Sequence, residues 1–257
     1  MQPPLNRTSA RLARAQPRLL WRIKRRFDVM CETHRISGRE FEFTRVSDPD
    51  VVLDQVVEKE DRREKLSGKR RISDELHLPY WAELWDSAFG IGHVLVEAGQ
   101  ARDGKTALDL GCGMGFAGMV ACEMGYRVML GDLEADALLF AQYNVPQGQA
   151  RRLDWRSDRL GQRFDLIIGA DVLYDRKQWE YLEPFWREHL KSGGQVLLGE
   201  PGRQTGDLFI EWIGSRGWKL ARFEQKVATR EKAIRLFRLS QGAEDFRNSK
   251  SNANVEP

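Results

Sequence analysis

Cysteine is scarce in this chain and poorly spaced. Cys31, Cys112 and Cys122 are the only three in 257 residues, too few and too scattered for a disulfide framework or a zinc site. No metal site is expected, and a reducing, cytoplasmic location fits best. Long apolar runs are also missing. Nothing approaches about 18 uninterrupted apolar residues, so no membrane-spanning helix is predicted. The first residues lack the apolar core of a secretory signal. No internal repeat is visible. In the second half His189 is the only histidine, and it falls within a helical pattern. That is thin equipment for an oxidoreductase that needs a positioned proton donor.

What is present suits one α/β core with an appended segment. Apolar residues make up 41% and charged residues 31%. The net charge of +3 is unevenly spread: Arg7, Arg11, Arg14, Arg18, Arg22, Lys24, Arg25 and Arg26 all precede the first acid, Asp28. Such a start reads as a transit peptide, a nucleic-acid arm or a solvated basic helix. In the last case Leu12, Leu19, Leu20, Trp21 and Ile23 would partly cover the domain. Contact with a nucleic acid through this segment is not the favoured reading.

The chain is organised around Thr106-Ala-Leu-Asp-Leu-Gly-Cys-Gly-Met-Gly-Phe116. Thr106 to Leu110 reads as a short strand with Asp109 near its carboxyl end. Gly111, Gly113 and Gly115 can turn sharply and bring backbone N–H groups near a ligand. A helix from Phe116 to Met124 would add donors at its N-terminus. Tyr126 to Asp132 is the next strand, and it too ends in an acid. Gly113-x-Gly115-x-x-Gly118, with Asp132 about 20 residues on, also matches the dinucleotide fingerprint. Two features count against that alternative. Gly111 already closes the strand before the fingerprint begins, and Asp109 would repel a pyrophosphate but welcome an amine. Glycines serving turn geometry alone are the plainer alternative.

The rest of the chain reads as follows. Phe27 to Val46 is a hairpin turning at Ile36-Ser-Gly-Arg39. Val51 to Val57 forms a helical turn or two, and Glu58 to Arg71 is a charged, mobile loop. Trp85 heads an apolar helix carrying Ala88, Ile91, Val94 and Leu95. Ala150 to Trp155 is an edge strand. Phe164 to Ala170 is a strand buried on both faces, and Ala170-Asp-Val-Leu-Tyr174 leaves its carboxyl end, where such sheets bind ligands. Lys177 to Leu190 is an amphipathic helix ended by Gly193-Gly194, and Gln195 to Gly199 is the fifth strand. A helix from Gly206 to Ser215 leads into an antiparallel pair, Trp218 to Val227 and Lys232 to Leu239. The boundaries are a basic and hairpin extension over 1–75, a main domain over 76–240 and a disordered tail over 241–257.

Asp109-Leu-Gly-Cys-Gly-Met-Gly115, with Asp132 after it, resembles the first motif of S-adenosylmethionine-dependent methyltransferases. Leu84-Trp-Asp-Ser-Ala88 and Asp171-x-x-Tyr174 resemble the signatures of their family 16, which holds protein lysine methyltransferases. Pro79-Tyr-Trp-Ala82 looks like the group containing the lysine methyltransferase of the electron-transfer flavoprotein β subunit and its bacterial relatives. Glu200-Pro-Gly-Arg203 is similar to those relatives' Asp-Pro-Gly-Arg, with Glu200 replacing Asp. The likeness covers roughly residues 78 to 240.

The resemblance implies an α/β, Rossmann-like, doubly wound seven-strand sheet with a C-terminal antiparallel hairpin. It implies S-adenosylmethionine as cofactor and a lysine of a protein as substrate, with a small amine or an RNA as alternatives on the same scaffold. By the same likeness Gly111, Gly113 and Gly115 wrap the cofactor's methionine part and Asp109 lies by its amino group. Asp132 meets the ribose, Asp154 and Trp155 the adenine, Trp85 lies beside the cofactor, and Leu133 and Ala170 complete its binding set. Asp171 and Tyr174 are the implied catalytic residues, while Tyr80, Trp81 and Glu200 face the substrate.

Overall fold

The computed structural model describes residues 7–67 and 78–241, with side chains from residue 15 onward. Its centre is a seven-strand sheet made of β3 (Thr106–Leu110), β4 (Arg127–Asp132), β5 (Gln149–Arg152), β6 (Phe164–Ala170), β7 (Leu190–Glu200), β8 (Trp218–Gln225) and β9 (Ile234–Gln241). The strand order is β5-β4-β3-β6-β7-β9-β8. The first five strands are parallel, and β9 runs antiparallel to both β7 and β8. The expected α/β sheet with its closing hairpin is therefore present.

Alternating side chains divide the core in two, as a pleated sheet requires. Ala107, Leu130, Ile168, Leu197 and Leu236 face α3 (Asp86–Ala98), α4 (Phe116–Glu123) and α5 (Ala135–Asn144). Leu108, Met129, Ile167, Leu198 and Phe237 face α6 (Trp179–His189) and α7 (Gln204–Gly214). The predicted apolar stripe of α6 is the second layer's anchor: Trp179, Leu182, Phe185 and Trp186 are all buried. Covering both faces makes the sheet doubly wound. The chain order reverses at β3, so the ends of β3, β4 and β6 frame a crevice.

The N-terminal extension is built into this core. In the hairpin, β1 (Val29–Ile36) pairs with β2 (Arg39–Val46). Its turn puts Ser37 and Gly38 at φ 43° and 82°, the paired left-handed residues that let a two-residue loop follow strand twist. Phe43 is fully buried, and its ring meets Phe116 edge-on at 5.2 Å. Burial of such a ring contributes about 2 kcal/mol. Asn144 ties the hairpin to the glycine turn: its amide donates to the carbonyls of Thr44 and Met114, both at 2.9 Å, and accepts from Thr44 N–H at 3.0 Å. Helix α1 (Arg7–Lys24) packs on α5. Ile23 is buried and Arg26 forms a two-pronged ion pair with Asp136. Trp21 does not cover the domain as expected, being 59% exposed. The side chains of Arg7, Arg11, Leu12 and Arg14 lie outside the described residues.

Three expectations are corrected. The charged stretch after Val57 is helical, part of α2 (Pro49–Ser67). Asp48 accepts from Asp50 N–H at its head, Pro49 suits the first helical position, and Arg62–Glu58 and Arg63–Glu60 are paired one turn apart. Opposite charges at helical spacing stabilise a helix, and the composition alone hid that. Residues 68–71 of that stretch, and the tail beyond 241, lie outside the described residues. Gly193-Gly194 do not end α6: Leu190 already pairs with Phe164, and Gln195 next pairs with Leu166. The glycines lie inside β7, where the register shifts in a bulge after the ladder has begun. The edge strand β5 stops at Arg152, leaving Asp154 and Trp155 in the turn that follows.

Candidate active site

A cavity of about 330 Å³ opens at the carboxyl ends of β3, β4 and β6. Its walls include Trp85, Asp109, Gly111, Gly113, Gly115, Asp132, Leu133, Asp154, Trp155, Ala170, Asp171 and Tyr174, with Tyr80 and Trp81 beside them. Residues as distant in sequence as Tyr80 and Tyr174 thus meet in one place. Glu200 does not reach it. That side chain is buried, paired with Arg235, and accepts the N–H groups of Gly202 and Arg203 at 2.9 and 2.8 Å.

The glycine turn works differently from expectation. Gly111, Gly113 and Gly115 all have positive φ, at 68°, 52° and 90°, conformations that side chains disfavour. Yet four of its N–H groups are engaged within the protein. Those of Gly111 and Cys112 donate to Gly131 C=O, that of Gly115 to Cys112 C=O, and that of Gly113 to Asp132 Oδ2 at 2.8 Å. At the head of α4, Gly118 N–H donates to Asp109 Oδ2 at 2.7 Å. Two of the donors predicted for a ligand, the N–H groups of Gly113 and Gly118, instead fix two carboxylates at the cavity wall.

Those carboxylates are unusual. Asp109 is 1% exposed. Burial pushes its pKa up from 3.8 to about 7, against the pull of the Gly118 hydrogen bond, and Asp132 adds to the rise. Asp132 is also raised by burial, although the Glu134 and Gly113 N–H groups favour its ionised form. Its two oxygens take one backbone bond each, leaving lone pairs for a diol. Cys112, buried between them, has its thiol held well above the ordinary range by desolvation.

The far wall is aromatic and polar. Trp155 donates to Gln178 Oε1 at 3.1 Å. Asp154 lines the cavity while paired with Arg156 through both oxygens. Trp85 precedes the first turn of α3 and donates to Tyr80 C=O at 2.9 Å. Tyr80 and Tyr174 meet edge to face at 5.9 Å and are each about half exposed, forming the mouth. Asp171 leaves β6 with φ 58°, a strained value for a residue with a side chain, although Asp tolerates it better than most. Its N–H donates to Gly199 C=O at 2.8 Å, and Oδ1 pairs with Arg203. Oδ2 is buried with no partner among the described residues.

Sequence reasoning missed Gln178 and Asn144, and it reads Phe43 only as an apolar position of the hairpin, although Phe43 and Gln178 line the cavity. No local pattern marks them. Gly118 was visible as the last glycine of the fingerprint: an added Cβ would lie 2.4 Å from Leu130 Cδ2 and 2.8 Å from Asp109 Oδ2. It keeps α4 close to β3 and β4.

An anionic corner, a carboxylate with free acceptors and an aromatic wall in an α/β switch-point crevice define a nucleoside-cofactor type of site. The fold is shared with a solved glycopeptide N-methyltransferase, MtfA in complex with sinefungin, at a TM-score of 0.52 and 14% identity over 61% of this chain and 94% of that one. The family profile described as lysine methyltransferase matches residues 70–214, more than half of the chain. The chain belongs to that lysine methyltransferase family. It is 31% identical over 131 residues to the electron transfer flavoprotein beta subunit lysine methyltransferase of Xenopus laevis, covering 49% of this chain and 53% of the relative. It is 32% identical over 141 residues to the protein N-lysine methyltransferase METTL21A of Danio rerio, covering 50% and 64%. The matches thus span about half to two thirds of these relatives' own lengths.

Proposed function

We propose that this chain is an S-adenosylmethionine-dependent methyltransferase that modifies a lysine side chain of a protein. The observation that carries this reading is Asp171, a residue of the cavity wall inside an aromatic mouth whose buried Oδ2 has no partner among the described residues. The family and the two relatives' names support the substrate class. The residues present fit the cofactor: Asp109 can meet its ammonium, Asp132 its ribose hydroxyls and Trp155 its base.

When bound, the cofactor supplies a methyl on a sulfonium, an electrophile already activated. The protein's task is to place a neutral amine in line with it and keep water out. A free lysine has a pKa near 10.4, so only about one in a thousand is neutral near pH 7.4. Tyr80, Trp81 and Tyr174 build a poorly solvated channel that favours the neutral form. Asp171 Oδ2 accepts one amine N–H and turns the nitrogen lone pair inward. Asp171 and the aromatic mouth hold the amine in line with the methyl that the bound cofactor would supply to that nitrogen, the carbon–sulfur electron pair being kept on sulfur. The surplus proton leaves through the mouth. Exposed aromatic faces attract the resulting cation by about 0.5–2 kcal/mol.

Three free thiols suit a reducing, cytoplasmic setting, which we include in the proposal. The test uses isotope-labelled cofactor with a cell lysate and, separately, with electron transfer flavoprotein beta subunit. Label recovered as methyl-lysine after acid hydrolysis supports the reading. Label confined to RNA or small amines refutes the substrate class, and none at all refutes the activity.

A further inference from the structure

Arg203 has no part in the mechanism above, yet it touches both sides of it. Its guanidinium pairs with Asp171 Oδ1 and lies over the Trp85 ring, 5.5 Å from the centroid. Its backbone is fixed at both ends. The N–H donates to Glu200 Oε2 at 2.8 Å, and the carbonyl accepts from Arg235 at 2.6 Å. Glu200, 2% exposed, is itself held by Arg235. A buried carboxylate and a second arginine therefore aim Arg203 at Asp171. One oxygen of Asp171 is clamped and the other is buried without a partner among the described residues.

The pairing answers a difficulty in the chemistry. A lone carboxylate beside a lysine amine stabilises the ammonium, which cannot attack. A carboxylate already matched by a guanidinium carries no net charge but still accepts a hydrogen bond. We propose that Arg203 is a positioning residue that neutralises Asp171 while leaving Oδ2 free, so that the site orients a neutral amine instead of holding a charged one. This rests on the lysine methylation proposed above. The other ionisable groups around this corner include Tyr80 on the 3-10 turn, Tyr174 and Asp175 after β6, Arg230 beside Arg203, Asp109 and Asp132 at the ends of β3 and β4, and, further along the cavity wall, Glu83, Glu134 and the Asp154–Arg156 pair. Burial holds the Tyr174 phenol above its ordinary range, and Arg230 donates to Pro201 C=O at 2.9 Å. Arg203 is the cation bonded to Asp171 itself.

The test compares the parent with R203Q, R203K and the pair R203Q/D171N, using electron transfer flavoprotein beta subunit or the lysate protein that takes up label. R203Q should lower kcat at neutral pH at least tenfold while KM stays level or falls. The acid limb of its kcat profile should move about one pH unit upward, the scale of one unit charge acting across a few ångströms of half-buried protein. R203K should restore most of the profile, and in the D171N background R203Q should no longer move the limb. A second readout needs no turnover: carbon-13 NMR of aspartate-labelled protein, with the Asp171 signal assigned by its loss in D171N. That signal should titrate at higher pH in R203Q than in the parent. An active parent with an unmoved R203Q profile and an unmoved Asp171 signal overturns this inference alone. A parent that methylates no lysine removes the proposed function and the inference with it. Melting curves identify any variant that fails to fold, for which R203K decides.

Discussion

Raising the pH from about 6 to about 8 should tighten S-adenosylmethionine binding about tenfold, and Asp109 should be the reason. The carboxyl is enclosed by β3, α4 and the glycine turn, and burial lifts its pKa to about 7. In the empty site at pH 6 it is mostly protonated. The cofactor's ammonium favours the ionised form, so binding below the midpoint must expel a proton. Affinity then rises by up to about tenfold per pH unit until the carboxyl is ionised beforehand, and it levels off above.

Calorimetry in two buffers of different ionisation heat measures this directly. Proton release should approach one at pH 6 and vanish near pH 8, and D109N should abolish both the release and the slope. The same shift has a sign for stability. A carboxyl raised from 3.8 to about 7 keeps in the folded chain a proton that the unfolded chain has lost. Stability of the empty protein therefore falls as pH rises from about 4 towards 7, by on the order of 4 kcal/mol. Cofactor affinity in the parent that stays flat from pH 6 to 8, with no proton released, would refute the reasoning.

Replacing Gly118 with Ala should lower the melting temperature by about 2–4 °C and weaken cofactor binding. The clash with Leu130 and Asp109 costs about 1–3 kcal/mol and outweighs the roughly 1 kcal/mol that Ala adds to a helix; an unchanged melt and unchanged affinity would remove the packing role. Asp171→Asn keeps the shape and tolerates the positive φ, so turnover should drop at least about a hundredfold with cofactor affinity unchanged. Equal turnover in single-turnover kinetics would strip Asp171 of its role. Asn144→Ala leaves Thr44 and Met114 without their side-chain partner and should cost about 1–3 kcal/mol in urea unfolding. No loss there would mean that the hairpin docks by its aromatic face alone.

Much of this site was legible in the chain because its chemistry is concentrated at strand ends. Asp109, Asp132 and Asp171 each follow an apolar run, and the sheet's order brings those ends together. Arg203 was visible as a letter in a motif, but its role depends on Glu200 and Arg235, which come from separate strands. Asn144 and Gln178 are single polar residues at helix ends, positions where such residues are commonplace. The helical reach of α2 was lost for a different reason. Its stability comes from charges spaced one turn apart, and a charged stretch without apolar periodicity also describes a loop.

The same glycines that suggest a dinucleotide explain why a phosphate ester is a poor occupant. Phosphate binding at such a turn needs free backbone donors and a helix N-terminus open to an anion. Here Asp132 takes the Gly113 N–H and Asp109 takes the Gly118 N–H, so the positive end of α4 is already matched by a buried carboxylate. A pyrophosphate would have to displace one acid and lie against the other. A cationic amine finds the reverse: two acceptors fixed by the backbone, one of them held near its titration midpoint by burial. The fingerprint spacing survives because Gly118 must let α4 approach the sheet, and that need is shared by any ligand the turn could hold. The sign of the charge at this corner, and not the spacing of the glycines, selects the ligand.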